Sequence, residues 1–178
     1  MNKILVFVGE SGSGKTTTIN ELERRYPEKF KRAIPCTSRK PRAGEVDGID
    51  YNFLPPEFFI DNRGLIGVKK SAHGDYYCFR TADLYSKTHV LLVAIRLENV
   101  PELIQLSDLE VIVVRITISE ALKVERMRKR GDIEAMITSR VELDASERTE
   151  VDLQLTPVIT ISAEQTVDEN IQVILRGY

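Results

Sequence analysis

Near the start of the chain, Gly9-Glu10-Ser11-Gly12-Ser13-Gly14-Lys15-Thr16 fits the pattern G-x-x-x-x-G-K-S/T in full. Each residue type in it has a task in holding a phosphate chain. Glycines let the backbone curl so that successive N–H groups point inward at phosphate oxygens. The lysine ammonium bridges the β- and γ-phosphates, and the threonine hydroxyl ligates Mg²⁺. The expected ATP-binding residues are therefore Gly9, Ser11, Gly12, Ser13, Gly14, Lys15, Thr16 and the adjacent Thr17, with Lys15 catalytic and Thr16 the metal ligand. With glycine at about 7% of residues in ordinary proteins, a chance match in a chain of this length is on the order of 1%.

A second cluster able to do chemistry runs from Thr37 to Tyr51. Arg39 and Arg42 lie three residues apart with Pro41 stiffening the chain between them. Two guanidinium forks on a rigid segment suit bidentate capture of a phosphate. Tyr51, and Tyr76 or Tyr77 further on, can add phenolic donors. His73 and His89 are the only histidines. His89 precedes a core strand and reads as structural, and His73 has no Ser, Cys or Asp partner in sequence. Neither is needed as a base, because a phosphate acceptor is already an anion.

These residues must be positioned by something, and the apolar runs say what. Ile4–Val8, Val90–Ile95, Val111–Ile118 and Val158–Ile161 are rich in Val and Ile without strict alternation. Burial of both faces explains that pattern, so a parallel sheet covered by helices is expected. Helical stretches lie between: Thr16–Tyr26 closed by Pro27, Ser119–Arg130 with Ser119 as N-cap and Gly131 as stop, and a last one opened by the Thr166-x-x-Glu169 capping box. Alternation of this kind gives right-handed βαβ crossovers.

Two stretches break it. Residues from Thr37 to about Arg80 are rich in Gly, Pro, Asp and aromatics, and read as short strands and turns with Phe53, Phe58 and Phe59 as a small core. Arg126 to Arg148 is a charged helical hairpin. On a P-loop core these suggest a substrate lobe and a lid.

The 178 residues fit one domain, and 42% hydrophobic with 29% charged residues is ordinary for a globular protein. A net charge of -2 argues against a general nucleic-acid binder. Cys36 and Cys78 are too few for a disulfide framework and read as free thiols in a reducing compartment. The first apolar run is too short to span a bilayer and has no cleavage site after it, so a cytoplasmic protein without membrane partners is expected.

The octet and the string T-S-R-K-P-R-A-G-E-V-D-G-I-D-Y-N-F together resemble the guanylate kinase family. The resemblance continues through His73-Gly74-Asp75-Tyr76-Tyr77, Arg126-Met127-x-x-Arg130-Gly131 and Arg140. It implies one guanylate-kinase-like domain over residues 1–178: a P-loop NTPase-type parallel sheet flanked by helices (1–36, 81–125 and 149–178), an inserted NMP-binding lobe (about 37–80) and a helical lid (about 126–148). It also implies that Arg39, Arg42, Glu45, Tyr51 and Tyr77 bind the acceptor nucleotide. Lys15, Arg39, Arg130 and Arg140 then stabilise the transferring phosphoryl group, with ATP and Mg²⁺ as cofactors.

The sequence departs from the family where that family reads guanine. The matching positions hold Pro35, Val68, Phe79 and Ala94, with Arg96 in place of the second acid of a D-x-D pair. Glu98 is the nearest acid beyond it. Guanine selectivity is expected to be weak, although GMP or dGMP remains the default acceptor. A kinase of a small sugar phosphate such as ribose 1,5-bisphosphate and a non-catalytic phospho-ligand binding module stay open as alternatives. The protein is expected to be a monomer or homodimer.

Overall fold

Alternate residues of the first apolar run point to opposite faces of a sheet, and both sets are buried. Ile4, Val6 and Val8 pack into one cluster, while Leu5 and Phe7 pack into the other. The computed structural model describes residues 2–42, 44–71, 74–129, 131–146 and 156–178. In chain order it contains β1 (Asn2–Val8), α1 (Lys15–Arg25), β2 (Phe30–Arg32), β3 (Cys36–Thr37), β4 (Asn52–Phe53), β5 (Leu65–Lys70) and β6 (Tyr76–Arg80). There follow β7 (Val90–Ala94), α2 (Val100–Ile104), β8 (Leu109–Thr117), α3 (Glu120–Lys129), α4 (Glu134–Ser146), β9 (Val158–Ser162) and α5 (Val167–Gly177).

The main sheet is parallel and ordered β2-β7-β1-β8-β9. β1 lies at its centre, with Phe7 in register with Ala94 on one side and Val114 on the other. Fully burying an aliphatic or aromatic side chain contributes about 1.5–3 kcal/mol, so five buried residues in succession, Ile4 to Val8, hold this strand firmly. The loop that leaves it starts from a rigid point. α1 and α5 cover one face, and the Thr166 capping box of α5 forms as expected, with Glu169 N–H donating to Thr166 Oγ1 and Thr166 N–H to Glu169 Oε2.

A second, four-stranded sheet is ordered β4-β3-β6-β5. Its own core gathers Cys36, Phe59 and Cys78, with Leu54, Phe58 and Tyr76 against them. Phe53 is not part of that core. Its ring lies 5.8 Å from the Tyr51 centroid and 5.8 Å from the Arg39 guanidinium carbon, while the next residue, Leu54, packs on the core. Cys36 and Cys78 are free, buried and directly opposite each other across β3 and β6.

Ser119 precedes α3 and its Oγ accepts from the Leu122 N–H at 3.4 Å. After the helix Gly131 takes a φ of 90°, and the Asp132 N–H returns to the Met127 carbonyl. α4 then packs back with Ile137 buried. No helix among the described residues is long and apolar enough to cross a membrane.

Candidate active site

Gly9 begins the phosphate loop because β8 runs too close for any side chain. A Cβ there would stand 2.6 Å from the Ile116 carbonyl oxygen. Farther along, Gly14 caps α1 in a left-handed conformation and supplies no side-chain hydrogen bond. The first-turn N–H groups thus have no side-chain cap, which is what an anion at a helix N-terminus requires. Lys15 Nζ folds over the loop and donates to the carbonyls of Gly9 (2.5 Å) and Glu10 (3.1 Å). Ser13 Oγ is buried and has no hydrogen-bond partner among the described residues. A curled loop, an ammonium folded over it and an orphan hydroxyl suit a triphosphate.

Two residues that brace this loop come from α3. Lys123, 1% exposed, sits 2.7 Å from the Glu10 carboxylate. Arg126 donates to the carbonyls of Gly12 (3.0 Å) and Ala163 (2.8 Å). In sequence Lys123 lies in the helical stretch Ser119–Arg130 and Arg126 opens the charged hairpin, and neither is expected to brace the loop. The one available signal was their spacing of three, which puts them on a common face.

Two clefts flank the loop. The larger, about 640 Å³, lies between the two sheets, and Gly9, Ser11, Lys15, Thr16, Glu45, Tyr51 and Tyr77 line it. The smaller, about 370 Å³, is lined by Gly12, Ser13, Gly14, Lys15, Thr16, Thr17 and Arg126, with the loop before α5. Lys15 and Thr16 line both. Both volumes are of the size that holds small ligands.

Arg39 is turned to a carboxylate, that of Glu45, which lines the larger cleft. Its Nη atoms donate to Glu45 at 2.9 and 2.8 Å, a bidentate pair with Arg39 at 13% and Glu45 at 20% exposure. The guanidinium lies 5.3 Å from the Tyr51 ring centroid, and Tyr51 packs edge-on to Tyr77. Arg42 is exposed, and its backbone N–H closes on the same carboxylate at 2.7 Å. The two forks expected to act together therefore differ: one is organised by Glu45, and the other stands at the surface. The Arg39 hydrogen bonds, and then the Arg42 N–H, hold the Glu45 carboxyl down at about 2. A lowered carboxyl stabilises the fold above its ordinary value of 4.5 and loses that contribution as pH falls toward 2. The melting-temperature gap between the parent and Glu45→Gln is therefore expected to be constant above pH 4.5 and to close as pH approaches 2. A gap already closed at pH 4.5 would rule out this pairing.

The lining of the larger cleft departs from expectation at one position. Pro35, Phe79, Ala94 and Arg96 line it, but Val68 does not. Val68 packs with the Cys36, Phe59 and Cys78 core, and Lys69 lines the cleft instead. A register shift in the β5–β6 pairing between Ile66 and Lys69 causes the exchange. The Glu98 carboxylate accepts from Arg96 at 3.2 Å, and Glu98 is not among the residues that line either cleft. Among the described residues no group of three or more His, Cys, Asp or Glu gathers to hold a metal. Thr16, the expected metal ligand, lines both clefts. Arg130, the Arg140 side chain and His73 lie outside the described residues.

Comparison with known proteins gives a consistent family. A family model described as guanylate kinase matches residues 1–159. The chain is 41% identical over 76 residues to a guanylate kinase of Nitratidesulfovibrio vulgaris, covering 42% of this chain and 36% of that protein. It is 33% identical over 78 residues to one from Chlamydia abortus, covering 42% and 38%. The matched segment thus spans little more than a third of those relatives' length. Among solved structures, a guanylate kinase from Anaplasma phagocytophilum superposes with a TM-score of 0.63 at 21% identity, over 98% of this chain and 85% of that one. A gluconokinase from Sinorhizobium meliloti 1021 does so at 0.54 and 17% identity, over 99% and 91%. At these identities the two structures speak for the fold alone.

Proposed function

The chain belongs to the guanylate kinase family, and from that premise we propose that it transfers the terminal phosphoryl group of ATP to a nucleoside monophosphate, giving ADP and a nucleoside diphosphate. The observation that carries this reading is that Lys15 and Thr16 line both clefts. A nucleotide triphosphate lying in the smaller cleft has its terminal phosphate at the loop, facing an acceptor in the larger one. That is the in-line arrangement phosphoryl transfer needs, and it leaves the protein mainly the work of positioning and charge stabilisation.

In this reading Lys15 neutralises charge on the β- and γ-phosphates, and the loop N–H groups cradle them. Thr16 holds Mg²⁺, which neutralises phosphate charge when bound. Arg39, Arg42, Glu45, Tyr51 and Tyr77 bind the acceptor phosphate, with Glu45 keeping Arg39 in place. Residues 126–148 act as the lid, with Arg130 and Arg140 supplying further positive charge. GMP and dGMP are the default acceptors by family, the Pro35, Phe79 and Ala94 positions argue for relaxed guanine selectivity, and a cytoplasmic location fits this chemistry.

The test is an ADP-release assay with Mg·ATP and a panel of ribo- and deoxynucleoside monophosphates. Acceptor-dependent ADP release is the expected result. ADP release no faster with any monophosphate than without one would sink the reading.

A further inference from the structure

The five-stranded sheet delivers to the larger cleft an arginine that no motif marks. Strands β2, β7 and β1 lie side by side, and ligands of open parallel sheets gather at the carboxyl ends of the strands. Gly9 follows β1, Ala94 ends β7 and Arg32 ends β2, and all three line the larger cleft. Lys15 and Thr16 line both clefts, but Arg32 lines the larger one alone.

Local structure fixes where this side chain goes. Arg32 is in register with Leu92 of β7, and its N–H donates to Glu23 Oε1 of α1 at 2.9 Å. Phe30, two residues back on the same face of the strand, is buried with Ile19 and Leu22 of α1. The Arg32 side chain lies on that face too, beside α1. Its Nη1 stands 3.4 Å from Asn20 Oδ1, and Asn20 is one helical turn beyond Thr16 on a common face. Its Nη2 donates to the Ile49 carbonyl at 3.1 Å, two residues before Tyr51. The guanidinium thus sits between the helix that carries Thr16 and the loop that carries Glu45 and Tyr51.

Its hydrogen bonding is incomplete. A guanidinium has five N–H groups. Among the described residues Arg32 gives one to a carbonyl and one to a long contact, and its Nε is buried without a partner. A half-buried charge short of acceptors is costly, and an oxyanion in the cleft completes the set. Of the arginines already assigned to the acceptor, Arg39 is held by Glu45 and Arg42 stands at the surface. Arg32 lines the cleft itself.

We infer that Arg32 is a further acceptor-binding residue, donating from the end of β2 to the oxygens of the acceptor's monophosphate group. The inference rests on the kinase reading only for the identity of the larger cleft as the acceptor site. What Arg32 recognises is charge, so the base carried by that phosphate is immaterial to it.

The test is calorimetric binding of GMP, dGMP, AMP, CMP and UMP to the parent and to Arg32→Met, beside ADP release with Mg·ATP. Methionine keeps much of the side-chain length and removes the charge. Each monophosphate that binds the parent is expected to bind the variant about ten- to a hundredfold more weakly, the value of one charged hydrogen bond. That factor should be the same whatever the base. Affinity for Mg·ATP is expected to stay within about twofold, as for an independent site. Arg32 also touches the loop at Ile49, so a second comparison separates contact with the ligand from support of the loop. The tightest-binding monophosphate is set against its 5′-sulfate ester, which has nearly the same shape and less negative charge. In Arg32→Met the parent's preference for phosphate is expected to shrink at least about fivefold, the value of one charge at contact distance in water. Thermal melting confirms folding, and the ratio of two ligands within one variant cancels any loss of active protein.

Unchanged monophosphate affinity in Arg32→Met would overturn the inference. So would losses that depend on the base, an equal loss for Mg·ATP, or a phosphate-to-sulfate ratio that does not move. Base-independent weakening with the ratio shifted, but without turnover in either protein, would uphold it while the kinase reading fails. No binding of any monophosphate to the parent would overturn both.

Discussion

Lys15→Ala is expected to lower kcat for ADP formation by about a hundred- to a thousandfold, the usual loss when one preorganised donor to a developing charge is removed. The ammonium stands where the two clefts meet, held on the Gly9 and Glu10 carbonyls. Those carbonyls are at the rim of the cleft, so water can replace the lost donor there. Stability should therefore change by no more than about 1 kcal/mol. The loss should fall on kcat more than on the acceptor KM, since the charge to be neutralised grows in the transition state. Steady-state kinetics with a melting curve checks this. A variant that turns over at parental rate would remove Lys15 from the mechanism and with it the main argument for phosphoryl transfer.

Arg39→Ala is expected to cut kcat/KM for the acceptor about a hundredfold while leaving the KM for ATP within about twofold. The estimate comes from losing charge-assisted hydrogen bonds at about 1.5–3 kcal/mol each. Two effects combine. The acceptor site loses a guanidinium that lies against the Tyr51 ring, and Glu45 loses its bidentate partner. Arg39→Lys should recover little, because an ammonium cannot reproduce the planar fork. The asymmetry between the two substrates is the critical readout. Equal losses for ATP and acceptor would mean that Arg39 supports the fold generally and has no particular part in acceptor binding.

Features set by short stretches of chain could be read from sequence. The glycine octet, the parallel core strands, the Thr166 cap and the Gly131 stop each depend on a few neighbouring residues, and the structure has them where the pattern puts them. Contacts that join distant segments were harder. Glu10 and Lys123 are 113 residues apart, and neither has a local feature that marks it as half of a pair. Val68 and Lys69 exchange faces because of one irregularity in strand pairing, and period-2 reasoning cannot see a bulge. That Phe53 lies outside the small core is hidden for a related reason: an aromatic in a two-residue strand has no alternation to betray its face. The Arg39–Glu45 pair lies within one short segment, but the sequence marks Glu45 as an acceptor-binding residue and carries no signal that makes it the partner of Arg39.

Cys36 and Cys78 offer a way to time the molecule. They are the chain's two cysteines, and they face each other inside the small core behind Tyr77, buried to 0% and 3% exposure. Cys78 is the more reluctant to ionise, since its hydrogen bond to Cys36 and its burial both favour the protonated thiol. Cys78 borders the larger cleft but Cys36 does not, so labelling of Cys36 must wait for the four-stranded sheet to part, and its rate becomes a clock for that local opening. The five-stranded sheet carries no thiol and does not contribute to the signal. A nucleotide that spans both sheets slows the clock, and one confined to the glycine loop leaves it running.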